Sequence, residues 1–332
     1  MKVAFDGAPL DDGDALGVAT SFLTGLRAYA ARWPGSAVLL LPKGARDPAI
    51  EGLEIAPAPR GAFARQLALP RLVHKLRAAV LHSPVASVPL ACTRPMIATV
   101  HDLPWLCTDS GETASCRHRL ATNWSLRRAA AVIAPSQFTL AAAARALPSA
   151  AAKRLRCIPH STILPSDEPV DPARREGPLL TLGDERPRKN RTRVTAAIAL
   201  ARKLDDRIPE PCFAGPPYNY VDERGKQALL DGCRALLHCS LFEGFGLPVL
   251  EGLAHGIPVL CSDLEPHREI AGDAALFVDP RDPGAMRDGI VRICTDDALR
   301  AQLAAAGRAR ARSFTPEIQA AAWRALHEEL IR

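Results

Sequence analysis

The sequence predicts an α/β protein made of two doubly wound parallel-sheet domains, and three observations carry that expectation. Short apolar runs alternate with amphipathic or alanine-rich stretches along nearly the whole chain. The stretch HSTILPSDEPVDPARREGP (160–178) breaks the alternation with four prolines and clustered charge, and the alternation then restarts. The two halves also differ in charge. Residues 1–166 hold 19 lysines and arginines against 10 acids, net +9, and residues 167–332 hold 23 against 26, net −3. Apolar strands separated by helices are the pattern of sheets covered on both faces, which are parallel.

Taken in order, the first half opens with VAFDG (3–7), an apolar run that reads as a strand. Residues 18–32 read as a helix, and AVLLLP (37–42) as the next strand. Residues 62–79 look helical and basic, with an interruption expected at Pro70. AVLH (79–82), MIATVHD (96–102), AVIAPS (131–136) and RLRCIPH (154–160) read as strands that end in small, polar or charged residues. After the break come LLTLGD (179–184), a helix near 191–204, PCFAG (211–215), a helix near 222–235 and ALLHCS (235–240). A helix from about 247, strands PVLCSD (258–263) and AALFVD (274–279), and helices near 283–294, 297–312 and 316–331 complete the chain. The expected domains are therefore 1–165 and 179–314, joined by a linker at 166–178. The final segment, 315–332, is expected to be a helix packing back on the first domain.

Composition narrows the class. The 332 residues are 48% hydrophobic and 23% charged, which suits a globular chain and argues against disorder or coiled coil. The apolar runs fall far short of the ~20 residues that cross a bilayer. The start, MKVAFDGAPL, lacks the apolar core of a secretory signal, so the reading is cytoplasmic. Nine cysteines without a C-x-x-C pair argue for reduced core thiols over disulfides or structural zinc. Six cations and no acid lie between Glu54 and Asp102, and eight more between Glu112 and Asp167. Such a basic half suits a phosphate-bearing substrate or peripheral contact with an anionic membrane. Few aromatics interleave with the cations, so nucleic acid is not an expected partner.

Ligands of doubly wound sheets bind outside the C-terminal strand ends, and the chemistry-bearing residues cluster at such turns. In SLFEGFGLPVLEGLAHGIPVLCSD (240–263), a strand ends in a loop holding Glu243, Gly244, Phe245 and Gly246. Pro248 then opens a helix that carries Glu251. Glycines permit close backbone approach, and the helix start offers free N–H groups to a phosphate.

This pattern, E-G-F-G-L-P-x-L-E followed by G-x-P-V and a serine-aspartate pair, resembles glycosyltransferase family 4, retaining enzymes of the GT-B fold. PHREIAGDAALFVDPRDPGAM, GDERPRKN (183–190), VHDLPWL (100–106) and AVIAPSQFT (131–139) resemble further segments of that family in the same order. The resemblance implies two Rossmann-like domains facing across a cleft, here with a shortened second domain. It implies that Arg188 and Lys189 grip the diphosphate of a nucleotide-sugar donor, with Phe245, Gly246 and Leu247 in the donor loop. Glu251 would hold the donor ribose, and Glu243 would lie near the transferred sugar. His101 would reach that sugar from the first domain, and Gly17, in the loop after the first strand, would match the first glycine of a G-x-G element. No metal and no cofactor beyond the donor are implied. The acceptor would be a glycan, a lipid-linked saccharide or a small molecule, in cell-surface polysaccharide synthesis.

Two departures stand out. Ala19 occupies the second glycine of the G-x-G element. The segment from Asn190 to Glu243 is short by about one strand–helix unit, so the resemblance names no nucleotide. The alternatives are a non-catalytic nucleotide-sugar-binding partner and a GT-B nucleotide-sugar epimerase. A glycoside phosphorylase is disfavoured by the short chain.

Overall fold

A computed structural model of the chain describes residues 1–11, 16–106, 110–147, 152–165, 175–216 and 219–332. They form two units, each described by itself. The first comprises Met1–Leu103, Ala114–Ser161 and Pro316–Arg332, and the second Pro104–Thr113 and Thr162–Thr315. Residues 104–113 thus group with the second unit, although they precede the proline-rich break. Most of the expected linker, 166–174, lies outside the described residues.

In the first unit, β1 (Val3–Asp6), β2 (Ala37–Pro42), β3 (Glu54–Ala58), β4 (Val80–Ser83), β5 (Met96–Thr99), β6 (Ala131–Ala134) and β7 (Leu155–Cys157) form one sheet. Its order is β3-β2-β1-β4-β5-β6-β7, every pairing parallel. The order reverses beside β1, whose Val3 pairs Ala37 on one side and Val80 on the other. Helices α1 (Leu16–Arg32), α2 (Ala62–Lys75), α3 (Cys116–Arg128) and α4 (Gln137–Ala146) connect the strands. Sequence reasoning passed over β3, a half-exposed edge strand whose Pro57 obscures the strand pattern. The expected interruption at Pro70 does not occur, since α2 runs through it. Buried Leu69 and Val73 on either side anchor the helix to the sheet and offset the lost hydrogen bond.

In the second unit, β8 (Leu179–Leu182), β9 (Pro211–Ala214), β10 (Ala235–His238), β11 (Val259–Ser262) and β12 (Leu276–Val278) form a five-stranded parallel sheet. Its order, β12-β11-β10-β8-β9, reverses between β8 and β10. Helices α5 (Arg191–Leu204), α6 (Glu223–Gly232), α7 (Leu247–Ala254), α8 (Glu265–Ala271), α9 (Pro283–Thr295) and α10 (Asp297–Ala311) cover it. Two core clusters lie on its faces, one around Leu236, Val249 and Ile270, the other around Leu179, Ile198 and Ile290. The Arg175 guanidinium is buried and donates to the carbonyls of Leu230, Cys233 and His255, which pins the start of this unit.

The last helix, α11 (Pro316–Ile331), belongs to the first unit and packs along α1. Contact is so close at Gly25 that an added Cβ would lie 2.6 Å from the Trp323 ring. Trp323 is buried against Phe5, Phe22 and His82, with ring centroids 5.9, 6.4 and 5.0 Å away. Cys92, Cys233, Cys239, Cys261 and Cys294 are buried free thiols, and Cys107 lies outside the described residues.

Candidate active site

The second unit brings Arg188, Lys189 and Glu243 together where its strand order reverses, at the C-terminal ends of β8 and β10. After β8 the chain makes a short 3-10 turn, Pro187–Lys189, and Asn190 then adopts a left-handed conformation (φ 59°) before α5. Asparagine tolerates that conformation. Its buried amide donates to the carbonyls of Cys239 (3.0 Å) and Pro280 (2.7 Å), tying together the loops after β8, β10 and β12. The Leu241 N–H donates to the Arg188 carbonyl at 2.7 Å, so the basic turn and the Glu243 loop are fixed to one another.

These contacts place Arg188, Lys189 and Glu243 together. Lys189 Nζ lies 2.7 Å from Glu243 Oε1, and Arg188 Nη1 lies 4.0 Å from Glu243 Oε2. Arg188 Nε is also 2.9 Å from Glu112 Oε1. Glu243 Oε1 further accepts from Ser240 Oγ at 2.8 Å and from His238 Nε2 at 3.0 Å. Three donors therefore converge on one carboxylate oxygen, Oε1, while Oε2 faces Arg188 at the longer distance. Burial alone would raise the Glu243 carboxyl, but Lys189, His238 and Arg188 hold it well below the ordinary value. Burial pushes His238 the other way, so the imidazole is neutral and donates Nε2–H.

The sign of that shift gives a stability prediction. Folded Glu243 binds a proton less readily than it does in the unfolded chain. The cluster therefore adds stability above the ordinary carboxyl value of 4.5, and loses it as pH falls toward the depressed one. Urea unfolding of Glu243→Gln is expected to show a flatter loss of stability below about pH 4.5 than the parent. Identical acid limbs would mean that the cluster carries no net interaction.

The donor loop is arranged for close approach. Gly246 has φ 110° and caps α7, with Pro248 in the first turn. An added Cβ at Gly246 would lie 2.9 Å from the buried His267 ring, so the left-handed cap has no room for a side chain. Phe245 is buried against Phe314, and Leu247 is packed at the edge of the same core. Both anchor the loop from behind. Glu251, on the second turn of α7, is paired with Lys226 Nζ at 2.6 Å, and that ammonium also meets Glu223 at 3.1 Å. Glu251 and Glu223 hold the Lys226 ammonium above its ordinary value despite burial.

Two of the expected residues lie in the first unit. His101 follows β5, with Nε2 2.6 Å from the Pro84 carbonyl and Nδ1 3.1 Å from His160 Nε2. Gly17 does not sit in a loop, as its sequence context suggested, but in the first turn of α1. Residues 12–15, just before that helix, lie outside the described residues.

Sequence reasoning missed His238, Ser240, Glu112 and Lys226. His238 ends an apolar strand, where an isolated histidine reads as core. Glu112 is remote in sequence from the basic turn it meets. A polar residue interrupting the end of a buried strand beside the E-G-F-G loop was the one available signal.

Two doubly wound parallel sheets, with a basic turn and a glycine-capped helix start at the point where one of them reverses, make up a fold of the GT-B type. Residues 21–162 match the profile described as Glycosyltransferase Family 4, and residues 218–310 the one described as Glycosyl transferases group 1. The chain belongs to glycosyltransferase family 4. Over 98 residues it is 38% identical to O-antigen chain mannosyltransferase B of Escherichia coli, covering 30% of this chain and 26% of that protein. The match thus spans about a quarter of the curated relative's length. Sucrose-phosphate synthase of Thermosynechococcus elongatus superposes with TM-score 0.76 at 20% identity, over 99% of both chains. Anabaena HepE in complex with UDP and glucose superposes with TM-score 0.70 at 17% identity, over 99% of this chain and 100% of that one.

Proposed function

We propose that this chain transfers a hexose from a nucleotide diphosphate sugar, with retention, to a glycan or lipid-linked acceptor in cell-surface polysaccharide synthesis. The observation that carries the reading is the convergence of Arg188, Lys189 and Glu243 beside the start of α7. A guanidinium, an ammonium and a helix N-terminus together neutralise the charge that grows on a departing diphosphate. Glu243 Oε2 accepts from a hydroxyl of the transferred sugar, while Oε1 stays fixed by its three donors. Glu251, whose Oε1 holds Lys226, accepts from the donor ribose hydroxyls. His101 contributes a contact to the sugar. The acceptor hydroxyl attacks from the face the diphosphate leaves, and its proton passes to the leaving phosphate oxygen. The names of a relative that is an O-antigen mannosyltransferase and of a fold neighbour with bound UDP support the substrate class.

The test is a screen of nucleotide diphosphate hexoses that reads free nucleoside diphosphate, with the anomeric configuration of any glycoside read by NMR. Release of the diphosphate with the donor's configuration kept supports the reading. Tight binding of donors with no turnover on any acceptor would instead support the non-catalytic partner.

The lipid-linked option has its own support on α2. Phe63 and Leu67 are 80% and 54% exposed one turn apart, and Arg71, Lys75 and Arg77 follow them, all exposed. Arg60 and Arg65 are engaged elsewhere, on Asp11 and Asp6. An exposed apolar pair with three cations suits the surface of an anionic bilayer, each cation contributing about 1 kcal/mol. None of the described helices is long and apolar enough to cross a membrane. We expect salt-sensitive sedimentation with anionic vesicles and none with neutral ones. Changing Arg71, Lys75 and Arg77 to glutamine should release the protein. If it ignores anionic vesicles at low salt, these cations are a solvated face and the support for a lipid-linked acceptor falls away.

A further inference from the structure

A line of hydrogen bonds in the first unit ends on His101. Ser21 Oγ, on α1, lies 2.8 Å from His160 Nδ1. His160 follows β7, and its Nε2 lies 3.1 Å from His101 Nδ1. His101 Nε2 in turn lies 2.6 Å from the Pro84 carbonyl. The two rings are nearly parallel, 15° apart, with centroids 5.1 Å from each other. The group lines a depression at the C-terminal ends of β4 and β5, together with Val18 and Thr99.

One partner sets the direction of every bond. A carbonyl oxygen can only accept, so His101 Nε2 carries the hydrogen. Burial lowers the His101 pKa, so the ring is neutral and its Nδ1 is bare. The facing His160 Nε2 must then donate. Burial and the neighbouring His101 push His160 well below its ordinary value, so its Nδ1 is bare as well. That nitrogen takes the Ser21 hydroxyl hydrogen. The opposite polarity would aim a bare His101 Nε2 at the Pro84 carbonyl, or require a buried imidazolium.

We infer that Ser21 and His160 are positioning residues that hold His101 as its Nε2–H tautomer, so that His101 meets a substrate oxygen as a hydrogen-bond donor and not as a base. The inference rests on the proposed contact between His101 and the transferred sugar. With substrate present, Nε2–H exchanges the Pro84 carbonyl for a sugar oxygen, and His160 keeps the ring and its tautomer unchanged through the exchange. Nothing in this arrangement takes a proton from the acceptor.

The test compares His160→Leu, which cannot donate, with His160→Asn, whose amide N–H can. In nitrogen-15 histidine spectra of the full chain, His101 is expected to show a protonated ε2 and a bare δ1 nitrogen. His160→Asn should keep that signature, and His160→Leu should give mixed tautomers. In transfer assays, His160→Leu should lower kcat about tenfold with donor KM nearly unchanged, and His160→Asn should recover most of the loss. Ser21→Ala should loosen the tautomer less than His160→Leu does. A His101 that is Nδ1-protonated in the parent, or a folded His160→Leu variant with an unaltered His101 signature, overturns the inference. A His101→Ala variant with parental kcat would instead remove the sugar contact from the proposed function, and the spectra would still decide the positioning.

Discussion

Replacing Lys189 with alanine is expected to lower kcat by about 10²–10³-fold while leaving the second unit folded. Lys189 is the shortest ionic partner of Glu243, and its ammonium stands beside the α7 start. A charge-assisted contact to phosphate is worth about 1.5–3 kcal/mol in general, and more where charge develops in a site closed to water. The fold survives because Glu243 keeps His238 and Ser240 as donors. Arg188→Ala should weaken the same proposed diphosphate grip, and it also leaves the Glu112 carboxylate without its 2.9 Å partner, so it should cost stability as well. Because both cations serve one ligand, the double variant should lose less than the product of the two single losses. Steady-state kinetics beside circular dichroism separates the effects. A folded double variant with parental kinetics would remove this turn from catalysis.

Trp323→Ala is expected to give the largest loss of stability, about 3–5 kcal/mol. The indole is 5% exposed and fills the space between α1 and the sheet, touching Phe5, Phe22 and His82. Its neighbourhood cannot collapse to fill a cavity, because β1 and β4 are pinned in the centre of a seven-stranded sheet. Gly25→Val attacks the same contact from the other side by forcing α1 off α11. In a two-unit chain the loss should appear as an earlier first transition in calorimetry, with the second barely moved. Two transitions in the parental positions would show that α11 contributes little to the first unit.

The doubly wound architecture was legible because buried parallel strands are apolar throughout. AVLLLP and AVIA leave no other reading. Elements with mixed surroundings escaped: β3 is an edge strand with exposed Glu54, and α8 is a seven-residue helix with no apolar period to detect. The E-G-F-G loop, the P-R-K turn and Glu251 were visible because their residues lie close together along the chain. Their partners were not. Glu112, His238 and Lys226 reach the site through sheet order and helix docking, which set no local pattern. The tautomer of His101 was out of reach for the same reason, since Ser21 and Pro84 sit 80 and 17 residues away from it. Gly17 shows the opposite error, where a matched residue type was taken as a loop and α1 begins one residue earlier.

The central claim is that the Arg188–Lys189 turn and the α7 start form a nucleoside diphosphate site. Isothermal titration of UDP and of GDP into the parent chain and into the Arg188→Ala, Lys189→Ala double variant tests it most directly. The account predicts saturable one-to-one binding of at least one of the two nucleotides to the parent. It predicts affinity at least tenfold weaker in the folded double variant, with the matching nucleoside bound about equally by both proteins. Equal diphosphate affinity in parent and variant would contradict it.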